Sequence, residues 1–258
     1  MFVLEELAGN FPPVVFVSAF LASVAADVVG RILTGEMPVL PLHDMAAPNV
    51  SALPASLLLG VACGLGGVLF NRCLLKSLDL YGRLRWPSWC IGALAGAIAG
   101  CAGGIMPGVA GGGGLLAERA LAGEIALRWL PLLLAARFLL TMTSYGTGAA
   151  GGIFAPLLVL GALGGLAFGH TLHLVLPAWA AHPETFAVIG MGGLLTAIVR
   201  APLTGIVLMI ELTGKYDFML PLLACCLVAY GVAEALHDTP IYEALRERTK
   251  LSRQKSPA

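Results

Sequence analysis

The chain has 258 residues, of which 58% are hydrophobic and 12% charged, and its formal net charge is zero. Soluble domains carry about 25% charged residues, so this composition, with a mean hydropathy of +0.89, indicates an integral membrane protein. The neutral charge and the lack of zinc-binding or phosphate-binding motifs argue against a nucleic-acid partner, a metal site and the common soluble enzymes. We therefore expect no enzyme, no catalytic residue and no cofactor.

Seven apolar segments approach the length needed to cross a hydrocarbon core of about 30 Å at about 1.5 Å per residue. Several of them are short or interrupted by glycine and proline. We therefore expect an all-α, multi-pass protein of tilted and broken helices in the lipid bilayer. The segments are 12–32, 55–75, 87–106, 127–145, 153–176, 186–199 and 218–236.

The loops predict the orientation of these segments. Residues 71–86 and the chain beyond Tyr242 are rich in arginine and lysine, which places both on the cytoplasmic side by the positive-inside rule. The connection 33–54 carries Glu36 and Asp44 but no lysine or arginine, so it should face outward.

A short internal match relates the start of the chain to a later segment. Residues 2–11, "FVLEELAGNF", align without gaps on residues 207–216, "VLMIELTGKY", with Glu6 on Glu211. Weak similarity of this kind is what transporter repeats leave in sequence, although a match this short also arises by chance in an apolar chain. The match predicts that the chain opens at the end of one repeat and contains the whole of the second.

The stretch "GAAGGIFAP", residues 148–156, predicts a helix that begins near Ile153 inside the membrane. Glycine permits a sharp turn, and proline is tolerated in a first helical turn, where its missing N–H would be unpaired anyway. The first amides of such a helix lack acceptors, and an anion is their natural partner. Glycine-rich packing is the alternative, and we assign it to the later positions Gly161, Gly165 and Gly169.

Three motifs in this order resemble the CLC family of chloride channels and proton/chloride antiporters. They are "GGIFAP", then "TAIVRAPLTGIVLMIELTGKYDFMLPLLACCLVAYGVA" at 196–233, and "PIYEAL" at 240–245. The resemblance implies the second inverted repeat of the CLC fold and a homodimer with one pore in each subunit. It also implies a transporter of chloride and protons. The short C-terminus is typical of prokaryotic members, so we expect the protein in the inner (plasma) membrane.

The resemblance also implies site residues. The amides of Ile153 and Phe154, with Gly152 in the same motif, and the hydroxyl of Tyr242 would line the anion site. Glu6, in the pair Glu5–Glu6, would pass protons from the cytoplasmic side and favours exchange over passive conduction. Two adjacent, partly desolvated carboxylates raise the pKa of at least one of them, which suits a proton relay.

Two loops that the family pattern requires, GSGIP and GREGP, are not found in this sequence. We therefore divide the chain into 1–11 as the end of a first repeat, 12–245 as the C-terminal transmembrane repeat and 246–258 as a basic cytoplasmic tail. The expected function is proton/chloride exchange by an incomplete chain, which a separate N-terminal half would complete. A passive chloride channel and a non-conducting truncated or split subunit are the alternatives, and the selectivity among chloride, nitrate and fluoride stays open.

Two ionisable residues, Arg200 and Glu211, flank the apolar stretch 201–210. Ionisable groups inside membranes are functional candidates by default. We interpret both as structural here, because each lies at a predicted helix end from which it can reach protein partners or the interface.

Overall fold

The computed structural model describes residues 2, 5, 13–35, 48–84, 86–148, 151–180 and 182–255. These residues are almost all in helices or short turns, and they contain no strand. The helices are α1 (Pro13–Thr34), α2 (Leu53–Arg83), α3 (Ser88–Ile105), α4 (Gly114–Leu121), α5 (Leu130–Gly146), α6 (Phe154–Val175), α7 (Thr185–Val199), α8 (Pro202–Thr213), α9 (Met219–Ala235) and α10 (Ile241–Lys255).

Within the described part of the chain, four helical segments are long and apolar enough to cross a membrane: Pro13–Leu33, Val50–Arg83, Phe154–Val175 and Tyr216–Ala235. The helices α3, α7 and α8 are apolar but shorter, as the interrupted pattern predicted. The expectation of an all-α, multi-pass membrane fold with broken helices is therefore confirmed. The sequence did not predict α4, and α10 continues as a helix through Lys255, across the boundary drawn at residue 246.

Glycines set the distance between α6 and α7. A Cβ atom built on Gly165 would lie 2.0 Å from the carbonyl oxygen of Phe186, and one on Gly169 would lie 2.3 Å from that of Pro183. Gly161 and Gly190 face each other in the same way, each with its position for a Cβ within 2.6 Å of the other's carbonyl oxygen. The packing role predicted for Gly161, Gly165 and Gly169 is confirmed, because only glycine lets the two backbones touch.

The long helix α2 packs against α9 and α7 through a second row of small residues. Cβ atoms at Gly60 and Gly64 would meet Cys225, Val228 and Val232 of α9 at 2.7 to 2.9 Å. Gly67 faces Ala197 of α7. The helices α2, α6, α7 and α9 thus form the centre of the molecule.

Between α7 and α8, the backbone breaks at Arg200 and Ala201. Arg200 ends α7 with a φ of +68°, and its amide donates to the Thr196 carbonyl at 2.8 Å. Pro202 is the first residue of α8, and a proline disfavours the helical conformation at the residue before it. Two short helices replace one long one here, which leaves helix ends and their polar groups inside the molecule.

Candidate anion site

The predicted helix start at "GGIFAP" is confirmed. Gly148 adopts a φ of +74° after the end of α5, Ile153 caps α6, and the first helical hydrogen bond joins Leu157 N–H to the Ile153 carbonyl at 3.0 Å. Pro156 is the third residue of α6, where its missing N–H leaves no helical bond unmade. Within the described ranges, the amides of Gly151, Gly152 and Ile153 have no hydrogen-bond acceptor. The N-terminus of α6 therefore presents free donors beside the positive end of its dipole.

Aromatic side chains bring Phe154 and Tyr242 close together. The ring of Phe2 meets Phe154 edge-on at 6.3 Å and Tyr242 edge-on at 5.5 Å between ring centres. The side chain of Ile153, only 2% exposed, lies in the same apolar cluster as the fully buried Ile241. The structure thus brings three of the predicted residues, Ile153, Phe154 and Tyr242, into one cluster, while Gly152 is exposed to a neighbouring cavity.

A polar network holds the turn that leads into α10 and to Tyr242. The buried Asn71 amide donates to the Asp238 carboxylate at 2.7 Å and to the Ile198 carbonyl at 3.3 Å. Arg200 donates to the Asp238 carbonyl at 2.9 Å, contacts the Asp238 carboxylate at 3.7 Å and donates to the Ala197 carbonyl. The end of α7 is thereby tied to the turn before α10.

Arg200 has the structural role that the sequence suggested, whereas the Glu211 side chain is exposed and makes no hydrogen bond or ion pair with the described residues. Burial lowers the pKa of its guanidinium, against the opposing effect of Asp238 and Glu234. Arginine remains protonated in proteins, so the side chain is a cation held by two carboxylates and two carbonyls.

Glu5 caps the N-terminus of α8. Its carboxylate accepts the amide of Leu203 at 3.0 Å, the amide of Thr204 at 2.7 Å and the hydroxyl of Thr204 at 2.8 Å. The local N-cap residue is Ala201, which has no side-chain acceptor, so a distant carboxylate satisfies these orphan donors. Glu6, the predicted proton-transfer residue, lies outside the described residues.

A cavity of about 360 Å³ opens beside the α6 N-terminus. It lies between α3, the loop 106–113, α5 and the start of α6. Arg137 of α5 lines this cavity, and its side chain is 3% exposed. Its guanidinium donates to the carbonyls of Val109 at 2.6 Å and Gly112 at 2.8 Å.

The sequence did not predict the capping role of Glu5, the contact between Asn71 and Asp238, or the place of Arg137 in the cavity lining. A signal existed only for Arg137, which is a cation in the middle of the predicted span 127–145. The partners of Asn71 and Glu5 lie 167 and 199 residues away, and no local pattern connects them. The described residues contain no cluster of metal-ligating side chains.

Known proteins are similar to this chain in sequence and in structure. A profile for the family described as "Voltage gated chloride channel" matches residues 1–234. A relative named H(+)/Cl(-) exchange transporter ClcA, from Yersinia pestis bv. Antiqua (strain Angola), is 34% identical over 264 residues, covering 100% of this chain and 55% of that protein. A protein of the same name from Klebsiella pneumoniae subsp. pneumoniae is 37% identical, covering 96% of this chain and 54% of its own length. The chain spans about half the length of the curated relatives it matches.

Solved structures agree with this fold. A slow cyanobacterial Cl⁻/H⁺ antiporter superposes with a TM-score of 0.82 at 38% identity, over 90% of this chain and 55% of that one. A CLC-type fluoride/proton antiporter superposes with a TM-score of 0.72 at 21% identity, over 91% of this chain and 57% of its own, and this likeness shows the fold alone.

Proposed function

This chain belongs to the voltage-gated chloride channel family, and on that basis we propose that it moves chloride across a membrane in exchange for protons. The observation that carries the proposal is the N-terminus of α6, where the amides of Gly151, Gly152 and Ile153 have no acceptor among the described residues. The relatives named as exchangers come from bacteria. We accordingly place the protein in the bacterial plasma membrane.

The proposed anion site consists of neutral donors. The amides of Ile153 and Phe154 hold chloride, Gly152 lets the backbone approach the ion closely, and the Tyr242 hydroxyl donates one more hydrogen bond. Partial charges bind an anion reversibly, because they lack the full charge that would hold it too tightly for transport. The contacts of Phe2 with Phe154 and Tyr242 support this grouping.

Glu6 is the proposed proton carrier. A carboxylate binds and releases one proton, which is the chemistry that exchange requires, and passive conduction does not need it.

Two partners complete the proposal. The first is a second copy of this chain, and it is supported by α1, whose apolar window is wholly unburied within the described structure. The second is a chain that carries the first repeat, and it is supported by the coverage of about half of each curated relative.

The proposal is tested by coupled flux in liposomes. The purified chain, alone and together with a chain carrying the first repeat, is reconstituted under a chloride gradient, and proton uptake is followed with a pH electrode. We expect chloride-driven proton uptake that Glu6→Gln abolishes and that Glu211→Gln, an exposed carboxylate on α8, leaves intact.

Other outcomes assign other functions. Chloride flux with a reversal potential independent of pH would identify a passive channel. The absence of flux in both preparations would identify a non-conducting subunit.

A further inference from the structure

Another cavity, of about 350 Å³, lies where α2 ends, α3 begins and α5 approaches its C-terminus. Its wall is mostly apolar and includes Leu80 of α2, Leu84 just after it, Ile91 and Leu94 of α3, and Met142 of α5. None of its described lining residues also lines the cavity beside the α6 N-terminus. The proposed anion site therefore does not account for this cavity.

The cavity opens to the surroundings of the protein. Among its lining residues, Leu80 is 62% exposed, Trp86 56% and Leu94 48%. Its helix α2 belongs to a segment long and apolar enough to span the membrane, and Trp86 follows the end of that helix. Tryptophan is enriched at the boundary between lipid and water, so this opening lies at the edge of the bilayer, where an acyl chain can enter.

The size of the cavity suits part of one acyl chain. A volume of about 350 Å³ equals roughly ten to twelve waters at ≈ 30 Å³ each, and an acyl methylene is of similar size. Apolar contact alone would not select a lipid here, because lipid tails are as apolar as the leucines of the wall. Any selection must therefore come from the headgroup.

Two cations at the end of α2 adjoin the cavity. Lys76 and Arg83 are exposed, and each is next in sequence to a lining residue. They are about two turns apart, so they project from the same side of the helix. The intervening Asp79 is paired with Arg248 at 2.5 Å, which leaves the charges of Lys76 and Arg83 for another anion. The positive-inside rule assigns this end of α2 to the cytoplasmic side, where the leaflet carries anionic lipids.

We propose that this cavity holds an acyl chain of an anionic phospholipid whose phosphate lies beside Lys76 and Arg83. Each cation near a membrane surface favours an anionic lipid about fivefold, so the two together favour it by roughly 25-fold over a zwitterionic lipid. The site stands on an apolar cavity that opens to the bilayer beside two cations, and it does not depend on chloride or proton transport.

The first test is quenching of Trp86 fluorescence by lipids with brominated acyl chains. Trp89→Phe, Trp129→Phe and Trp179→Phe leave Trp86, which lines the cavity, as the sole indole of the full chain. Vesicles contain brominated phosphatidylglycerol with unbrominated phosphatidylcholine, or the reverse, and the two quenching curves give the relative affinity of the lipids. We expect phosphatidylglycerol to be preferred at least tenfold. Equal quenching by the two lipids would overturn the proposal.

Variants in the same background separate the charge from the cavity. Lys76→Gln with Arg83→Gln should reduce the preference to within about twofold. Thr143→Phe fills the cavity from α5 without a change of charge, and it should also reduce the preference at least fivefold. An undiminished preference in either variant would overturn the proposed site.

The matched control removes two cations elsewhere. Arg119 and Arg128 are exposed and do not belong to the described cavity lining. The preference for phosphatidylglycerol should therefore persist in Arg119→Gln with Arg128→Gln. An equal loss in this control would show that the overall charge selects the lipid, and it would reject a site at Lys76 and Arg83.

A crystal of the unsubstituted full chain grown with brominated phosphatidylglycerol decides the matter if the variants fail to fold. An anomalous bromine peak inside the cavity is the expected result. Bromine peaks only elsewhere, or a helix of a second copy or of a first-repeat chain in the cavity, would overturn the proposal.

These outcomes separate the site from the proposed function. A lipid bound here in a protein that shows no chloride-driven proton uptake would keep the site and reject exchange. Coupled flux in a protein without the lipid preference would keep exchange and reject the site.

Discussion

Glu5 and Thr204 are 199 residues apart in sequence, yet the Glu5 carboxylate accepts both the amide of Thr204 at 2.7 Å and its hydroxyl at 2.8 Å. Since Ala201 offers α8 no side-chain cap, this contact replaces a local N-cap. It also fastens the start of the chain to the break between α7 and α8.

Replacing Glu5 by alanine should destabilise the protein by about 1–3 kcal/mol, because the α8 amides would lose a charged acceptor. Thermal unfolding in detergent, followed by circular dichroism, measures the effect. Glu211→Ala removes an exposed carboxylate from the same helix and should change little. Equal melting temperatures for the two variants would show that the contact contributes nothing.

Gly165→Ala should prevent the native packing of α6 on α7. Its methyl group would lie 2.0 Å from the backbone oxygen of Phe186, which cannot move aside as a flexible side chain could. The neighbouring Gly164 faces Leu134 at an ordinary 3.6 Å, so Gly164→Ala should be tolerated. Yield of monodisperse protein on size exclusion distinguishes the two, and a well-behaved Gly165→Ala would contradict the described contact.

Asp238→Ala should cost on the order of 3–5 kcal/mol, since it takes a carboxylate from the buried Arg200 and an acceptor from Asn71. The turn before α10 would lose its anchor. Unfolding in detergent reports the loss, and the exposed Asp217→Ala serves as the matched change. If both variants unfold at the temperature of the parent, Asp238 does not hold this turn.

Tyr242→Phe isolates the hydroxyl, because the ring and its contact with Phe2 remain. A hydrogen bond to a charged group contributes about 1.5–3 kcal/mol, so we expect chloride affinity at the α6 site to fall roughly 10- to 150-fold. Chloride titration gives the affinity, and Tyr230→Phe on α9 is the control. Unchanged affinity would remove Tyr242 from the anion site.

The predictable part of the structure is the part encoded by neighbouring residues. The start of α6 is determined by the backbone freedom of Gly148 and Gly152 and by the missing N–H of Pro156. Both effects act over a few residues, so the sequence shows them directly. The spacing of Gly161, Gly165 and Gly169 similarly indicated a packed face.

The unpredicted part depends on contacts between distant segments. In the sequence, Asn71 is a single polar residue in an apolar helix. Only the fold shows that its side chain donates hydrogen bonds to Asp238 and to the end of α7. In the sequence, Glu5 is a charge beside Glu6, and nothing near it indicates a contact with the α8 amides. Their roles depend on tertiary packing, which the local pattern of polar and apolar residues does not predict.

The backbone contact between α6 and α7 limits where this protein can move. Sliding either helix by one residue would drive side chains such as Leu166 or Phe186 into the opposing main chain, so no shear between them is available at low energy. We therefore expect the two helices to move together. Any rearrangement that opens or closes a route to the α6 N-terminus would then have to occur at joints outside this pair.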